Sequence, residues 1–439
     1  IMSVSRYKPS RYNHWLTDHE NKTLIFNANT CAFAIIDADH QQTYQEILEK
    51  GISADEERIK QLIYGGFVID ERIDELEALK YLLKKGQFQQ DSCGITIAPT
   101  LDCNFSCTYC YEERIHRRMT QETIDALLKL IEKHLSSGQT IAVTWYGGEP
   151  LLELPTVLAV SREILARKRA EGKRCTFGMV TNGYLLSAEV SQQLVEAGIN
   201  EVQITIDGPE AVHNRRRKLR SGGGTYKRII ENIRTADERL RINVRVNIDA
   251  GNLASVTDLL DALKDEGLYH RISIYFAPVD AYTPTCKSIE KECLAPALFA
   301  AHEVSLYKEA QKRGFRSLVY PKRLLPYCGA VAANFFVVDP AGYLHKCWNT
   351  VGQDEEAFGR LGEDITITPQ LLRWMNWDPF VDPQCRNCSI LPICMGGCPF
   401  QRFKGNHQAI CARWKHNLPE MLLHYYSCFE ASSATAPKK

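Results

Sequence analysis

The sequence predicts an α/β fold in which six parallel strands are wrapped by helices as an open or partial barrel, with further segments before and after it. Three observations carry that expectation. Apolar, β-branched runs alternate with amphipathic helical stretches through the middle of the chain. The runs end repeatedly in Gly, Asn or Asp, as strands entering turns do. Of the 16 cysteines, most fall into spaced groups at or beyond those strand ends, and only Cys31, Cys93, Cys175, Cys286, Cys293 and Cys428 stand alone.

In chain order, residues 1–90 read as a separate domain. The stretch "HWLTDHENKTLIFNANTCAFAIID" has the pattern of a hairpin turning at Glu20 to Lys22. "TYQEILEKG" and "DEERIKQLIYGGFVID" give two short helices and a closing strand, and "DELEALKYLLKKGQ" a linking helix. Helices with a small β-wing make a winged helix-turn-helix-like domain, which in general can bind DNA. Here Glu56, Glu57, Arg58 and Lys60 nearly cancel, so DNA reading is disfavoured. The whole chain carries 53 Lys+Arg and 53 Asp+Glu, which removes any global basic field aimed at nucleic acid or membrane.

Residues 91–315 hold six β-α units, with strands at "GITIAPTLDC", "TIAVTWYGGE", "RCTFGMVTNG", "EVQITIDG", "INVRVNID" and "RISIYFAPV". In parallel barrels the chemistry sits at the C-terminal ends of strands. Residues 316–439 form a third, cysteine-rich segment. The start, "IMSVSRYKPSRYNHW", lacks the apolar stretch of a signal peptide. No run reaches the ~18 apolar residues of a membrane span. The expectation is a cytoplasmic protein with no membrane or nucleic-acid partner, whose cysteines are reduced thiols or metal ligands.

The loop after the first strand, "APTLDCNFSCTYCYEE", places Cys103, Cys107 and Cys110 in a C-x3-C-x2-C pattern. Thiolates are soft ligands suited to an iron-sulfur cluster or to zinc, and a cubane held by three of them keeps one iron free for another ligand. A zinc site completed from elsewhere, or unligated thiols, are the alternatives. "WYGGEP" after the second strand offers Gly147 and Gly148 for close backbone approach and Glu149 as acceptor for an ammonium group. Thr181 and Asn182, Asp207 and Gly208, and Arg245 and Asn247 stand at the next three strand ends. Each alone reads as a strand-end cap or a solvated polar residue. Around one mouth they supply a carboxylate for an amine and an arginine for a carboxylate, which suits an amino acid ligand.

The three-cysteine loop with Tyr109 before its last cysteine, together with "GGEP", resembles the radical S-adenosylmethionine (SAM) enzymes, whose fold is a partial (β/α)6 barrel. The resemblance implies a 4Fe-4S cluster on Cys103, Cys107 and Cys110, with SAM chelating the remaining iron. It places Gly147, Gly148 and Glu149 at the methionine ammonium and Tyr109 near adenine, and more loosely Thr181, Asn182 and Arg245 around the same cofactor. It further implies reductive cleavage of SAM to a 5'-deoxyadenosyl radical, with a donor such as flavodoxin or ferredoxin as partner.

Beyond the barrel come Cys328, Cys347, then Cys385-x2-Cys388-x5-Cys394-x3-Cys398, and Cys411. A zinc ribbon explains one C-x2-C pair but not seven spaced thiols. The spacing resembles the SPASM extension of radical SAM enzymes. By that resemblance Cys328, Cys347 and Cys398 belong to a first auxiliary 4Fe-4S cluster, and Cys385, Cys388, Cys394 and Cys411 to a second, making three clusters in all. Sulfatase-maturing SPASM members carry an aspartate directly after the second cysteine of the first auxiliary cluster, where this chain has Trp348. "VHNRRRKLRSGGGTY" likewise resembles a stretch of those enzymes but has Asn214 in the usual acidic place. Formylglycine chemistry is therefore disfavoured. In position and pattern residues 1–90 resemble the element that takes the leader of a ribosomally made precursor peptide, and a plain packing domain is the alternative. The expected function is a peptide maturase closing an intramolecular crosslink, thioether or carbon-carbon. Its rivals are an α-carbon epimerase and a non-catalytic iron-sulfur electron carrier or redox sensor. No catalytic residue is legible.

Overall fold

The computed structural model describes residues 6–113, 115–171, 174–281, 283–317, 319–405 and 411–435. Their packing forms two units that cut across the three sequence segments: residues 88–318 with 329–376, and residues 1–87 with 319–328 and 377–439.

The larger unit is built on β1 (Ser92–Ile97), β2 (Thr140–Trp145), β3 (Cys175–Thr181), β4 (Ile199–Thr205), β5 (Arg241–Ile248) and β6 (Ile272–Pro278). They lie side by side in sequence order, every neighbouring pair parallel. Helices α1 (Gln121–Ser136), α2 (Leu154–Glu171), α3 (Ala188–Glu196), α4 (Tyr226–Thr235), α5 (Val256–Asp265) and α6 (Pro296–Lys312) fall between or after the strands, so each crossover is a β-α unit as the alternation predicts. Local chemistry starts the helices: the side chains of Thr120 and Ser187 accept from the backbone N–H of Thr123 and Val190. Ile95, Ile97, Val143, Trp145, Met179, Ile204, Val244 and Phe276 are buried along the strands.

The sheet does not stop at six strands. β7 (Phe335–Val338) adds parallel to β1, β8 (Tyr343–His345) folds back antiparallel on β7, and β9 (Gly359–Arg360) follows. The hairpin between β7 and β8 turns on Asp339, whose Oδ1 accepts from Ala341 N and Tyr343 N. These strands are two to four residues long and carry no extended period, which hides them from pattern reading.

In the smaller unit, Tyr7–Pro9 pairs antiparallel with Val68–Asp70, and Asn13–Thr17, Thr23–Asn27 and Phe33–Ile35 form a three-stranded antiparallel sheet. Helices Ala38–Lys50 and Glu56–Tyr64 begin at Asp37 and Asp55, each accepting from a backbone N–H three residues on, and helix Glu75–Gln87 follows. One core contains Tyr12, Leu24, Phe26 and Leu79 from the first segment with Leu391, Ile393, Leu418 and Leu422 from the last. The cysteine-rich C-terminal helices thus share their hydrophobic interior with the N-terminal segment. Among the described residues no helix is long and apolar enough to cross a membrane.

Candidate functional site

The loop after β1 carries Cys103, Cys107 and Cys110. Phe105–Cys107 pairs antiparallel with Arg217–Leu219, so the chain after β4 holds the cysteine loop by its backbone. Cys103 Sγ accepts from Phe105 N at 3.4 Å and from Asn182 Nδ2 at 3.9 Å. Burial pushes the Cys103 thiol well up, with Glu149 and the other two thiols adding to it, and pushes Cys110 up to about 12. Burial disfavours the thiolate form at Cys103 and Cys110, a cost that iron would offset, and three soft sulfur donors in one loop fit a cluster. Among the described residues no three His, Cys, Asp or Glu side chains close around a single metal ion. A cubane spreads its thiolates over separate irons and needs no such closure.

Gly147 and Gly148 make their close approach to this same loop. Gly147 has φ +106°, and a Cβ there would lie 2.5 Å from Thr100 O; at Gly148 it would lie 2.2 Å from Asp102 O. Gly148 N and Glu149 N donate to Thr100 O and Asp102 O at 3.2 and 2.9 Å. Glu149 is fully buried, and its carboxylate accepts from Thr181 Oγ1 (2.8 Å), Leu151 N (3.0 Å) and Asn182 N (2.7 Å). Burial still raises it above the usual carboxylate range. With three of its roughly four acceptor positions used by the chain, Glu149 ties the ends of β2 and β3 together.

Tyr109 reaches across the mouth. Its hydroxyl donates to Asp207 and accepts from Arg217 Nη1 (2.7 Å) and Asn247 Nδ2 (3.2 Å). Arg245 Nε donates to Asn247 Oδ1 at 2.6 Å. Behind them, buried Arg216 pairs with Asp249 at 2.7 Å and lies 5.0 Å above the Tyr109 ring. The structure thus gathers Cys103, Tyr109, Glu149, Thr181, Asn182, Asp207, Asn247 and Arg245 at the C-terminal ends of β1 to β5. Asn214, the departure noted above, accepts from Thr225 N and Tyr226 N at the start of α4, a task a carboxylate oxygen would also perform.

Several side chains here had no signal in the sequence. Arg216 and Arg217 sit in an arginine run whose members look alike until folding buries these two. The Tyr146 and Tyr111 hydroxyls are hydrogen-bonded, and the Tyr146 ring stacks on Trp348 with centroids 5.4 Å apart. Trp348, next to Cys347, is 44% exposed. Burial pushes Glu112 up to about 7, with Glu149 adding to it.

A family model for the radical SAM superfamily matches residues 97–265, the span of β1's end through α5. Residues 97–265 are a radical SAM domain. The match implies SAM as cofactor and, by the family, iron-sulfur chemistry. The chain is 20% identical over 341 residues to the serine-type anaerobic sulfatase-maturating enzyme of Klebsiella aerogenes, covering 73% of this chain and 82% of that one. It is 25% identical over 192 residues to Fe-coproporphyrin III synthase of Methanosarcina barkeri, where the match spans 43% of this chain and only 45% of the relative. Two solved structures share the fold. Native anSMEcpe with bound AdoMet and Cp18Cys peptide aligns with TM-score 0.60 at 18% identity, over 79% of this chain and all of that one. SuiB of Streptococcus suis bound to precursor peptide SuiA aligns with TM-score 0.54 at 14% identity, over 92% of this chain and 99% of that one.

In the smaller unit, a cavity of about 370 Å³ is lined by Cys385, Cys388, Cys394 and Cys411 together with Ile390, Leu391 and Lys415. Cys385 lies on the short helix Pro383–Arg386 and Cys394 ends Leu391–Cys394. Cys328 and Cys398 lie near Tyr327, whose hydroxyl is raised by burial and then by the charges of Cys394, Cys328 and Cys398. Cys347 belongs to the larger unit, just after β8.

Proposed function

We propose that the protein is a radical SAM/SPASM maturase that installs an intramolecular crosslink, thioether or carbon-carbon, in a ribosomally made precursor peptide. The observation that carries the reading is the pairing of a three-thiol loop at the end of β1 with a separate cavity lined by four further thiols. Three sulfurs leave an iron for SAM, whereas four close a cluster against other ligands. When bound, the cluster and SAM supply a one-electron cleavage that yields a hydrogen-abstracting radical. The chain's own residues do the rest. The remaining lone pair of Glu149, with the Gly147–Gly148 backbone, takes the methionine ammonium; Arg245 and Asn247 face its carboxylate side; and Thr181 and Asn182 hold Glu149 in place. Cys328, Cys347 and Cys398 serve a further auxiliary cluster by the SPASM spacing, and a flavodoxin or ferredoxin supplies electrons.

Residues 1–90 serve as the leader-binding element, residues 91–315 as the radical SAM barrel and residues 316–439 as the SPASM segment of a cytoplasmic enzyme. An extended leader adds as a strand to the three-stranded sheet, whose edge strand Phe33–Ile35 exposes Ile35. Peptide-bound anSMEcpe and SuiB support a peptide substrate. Trp348, where sulfatase-maturing enzymes have an acid, supports crosslinking over formylglycine formation.

The test is reconstitution under anaerobic conditions with SAM, reductant and precursor. Formation of 5'-deoxyadenosine together with loss of two hydrogens from the peptide is the expected result. Unchanged peptide mass with inverted stereochemistry indicates epimerisation, and no 5'-deoxyadenosine indicates an electron carrier. Replacing Cys103, Cys107 and Cys110 together with alanine should remove one cluster, keep the auxiliary iron and abolish SAM cleavage.

A further inference from the structure

Two cations stand against the four-thiol cavity, one on each of the cysteines in its C-x2-C pair. Arg402 Nη1 donates to Cys385 Sγ at 3.6 Å, and Lys415 Nζ donates to Cys388 Sγ at 3.7 Å. Their placement differs in kind. Arg402 is buried and held: its Nη2 pairs with Asp382 at 2.7 Å, and its guanidinium lies 5.4 Å over the Trp377 ring. Asp382 in turn accepts from Gln384 N at the start of the helix that carries Cys385, so one carboxylate fixes both the ligand helix and the arginine that faces its sulfur. Lys415 is at the surface and lines the cavity together with the thiols. A cluster on four thiolates is an anion, and each electron it accepts makes it more so. Positive charge and N–H donors on the ligand sulfurs therefore stabilise the reduced form more than the oxidised one.

Resting on the assignment of a cluster to Cys385, Cys388, Cys394 and Cys411, we propose that Arg402 and Lys415 are positioning residues that raise the reduction potential of that centre. They make it an electron-accepting station rather than a substrate ligand site. The couple takes up one electron without forming or breaking a bond. Four thiols leave no iron open for a substrate group.

The experiment is a reductive titration with dithionite of the full-length, cluster-loaded protein, following the cluster signal that Cys385→Ala removes. Lys415→Gln takes away one surface charge and should leave the iron content unchanged. At a fixed potential its reduced-to-oxidised ratio should fall about tenfold, a shift of about 59 mV to more negative potential for a one-electron couple. Lys415→Arg keeps the charge and should titrate with the wild type. Arg402→Lys keeps the charge but shortens the reach to Cys385, and should shift in the same direction by less. Wild-type potentials in both Lys415→Gln and Arg402→Lys would overturn the proposal. So would equal shifts in Lys415→Gln and Lys415→Arg, because charge would then not be the cause. If instead Cys385→Ala retains every iron, the cluster assignment itself falls and the proposal with it.

Discussion

Replacing Gly148 with alanine tests how the cysteine loop is held. The added Cβ would stand 2.2 Å from Asp102 O, 2.6 Å from Asp102 C and 2.8 Å from Leu101 O. All three are backbone atoms, so no side chain can swing aside, and the two loops must part by more than an ångström to restore ordinary contact. Parting them breaks the hydrogen bonds from Gly148 N to Thr100 O and from Glu149 N to Asp102 O. Two such bonds contribute about 1 to 3 kcal/mol together, overpacking adds about 1 to 3, and the expected loss is roughly 2 to 6 kcal/mol. Asp102 precedes Cys103, so the displaced segment is the one that carries the first ligand of the proposed cluster. Urea unfolding reads the stability and iron analysis the cluster occupancy; both should fall. Gly178, within β3, is the control. Its Cβ would meet nothing nearer than Glu201 O at 3.8 Å, and alanine there should match the wild type or exceed it by up to about 1 kcal/mol. If Gly148→Ala unfolds at the wild-type midpoint with full iron, the glycines are not needed for docking the loops.

The shared core of the smaller unit predicts that Leu79→Ala, a buried change in the N-terminal segment, costs about 2 to 5 kcal/mol and weakens the cluster proposed at Cys385 and its partners. Iron retained at full occupancy despite the lower stability would separate the two. Ile35→Asp puts a charge on the exposed edge strand and should lower affinity for the full precursor while leaving precursor-free SAM cleavage at the wild-type rate; equal precursor affinity, measured by fluorescence anisotropy, would refute leader docking there. Asp339 is fully buried, with Arg117 3.9 Å away, and burial raises it from the ordinary 3.8 to about 6. The folded carboxyl therefore keeps its proton to higher pH than the unfolded one. Its contribution to stability is complete below pH 3.8 and is lost as pH rises through about 6, amounting to about 3 kcal/mol. Asp339→Asn should flatten that slope, and identical slopes between about pH 4 and 6.5 in urea unfolding would show that another group titrates.

The six strands, their helices and the cysteine loop after β1 were legible in the sequence because each depends on near neighbours. A buried parallel strand needs an apolar run, and a helix beside it needs one apolar face. The thiols of the C-x3-C-x2-C loop are likewise close in the chain before they are close in space. What periodicity reports is which face of an element is apolar. It does not say which other element covers that face. Tertiary structure alone therefore decided that Phe335–Val338 extends the sheet beside β1, and that Tyr12 and Leu79 share a core with Ile393 and Leu418. The same holds at the site. The sequence offers the glycines of "GGEP" for close approach to a ligand, and only folding shows that they also lie against the backbone of Thr100 and Asp102. Arg216, Arg217 and Arg402 are three arginines among many until burial strips their water and leaves Asp249, Tyr109 and Cys385 as their partners. Burial of a charge is a property of the assembled chain, and no local run of residues encodes it.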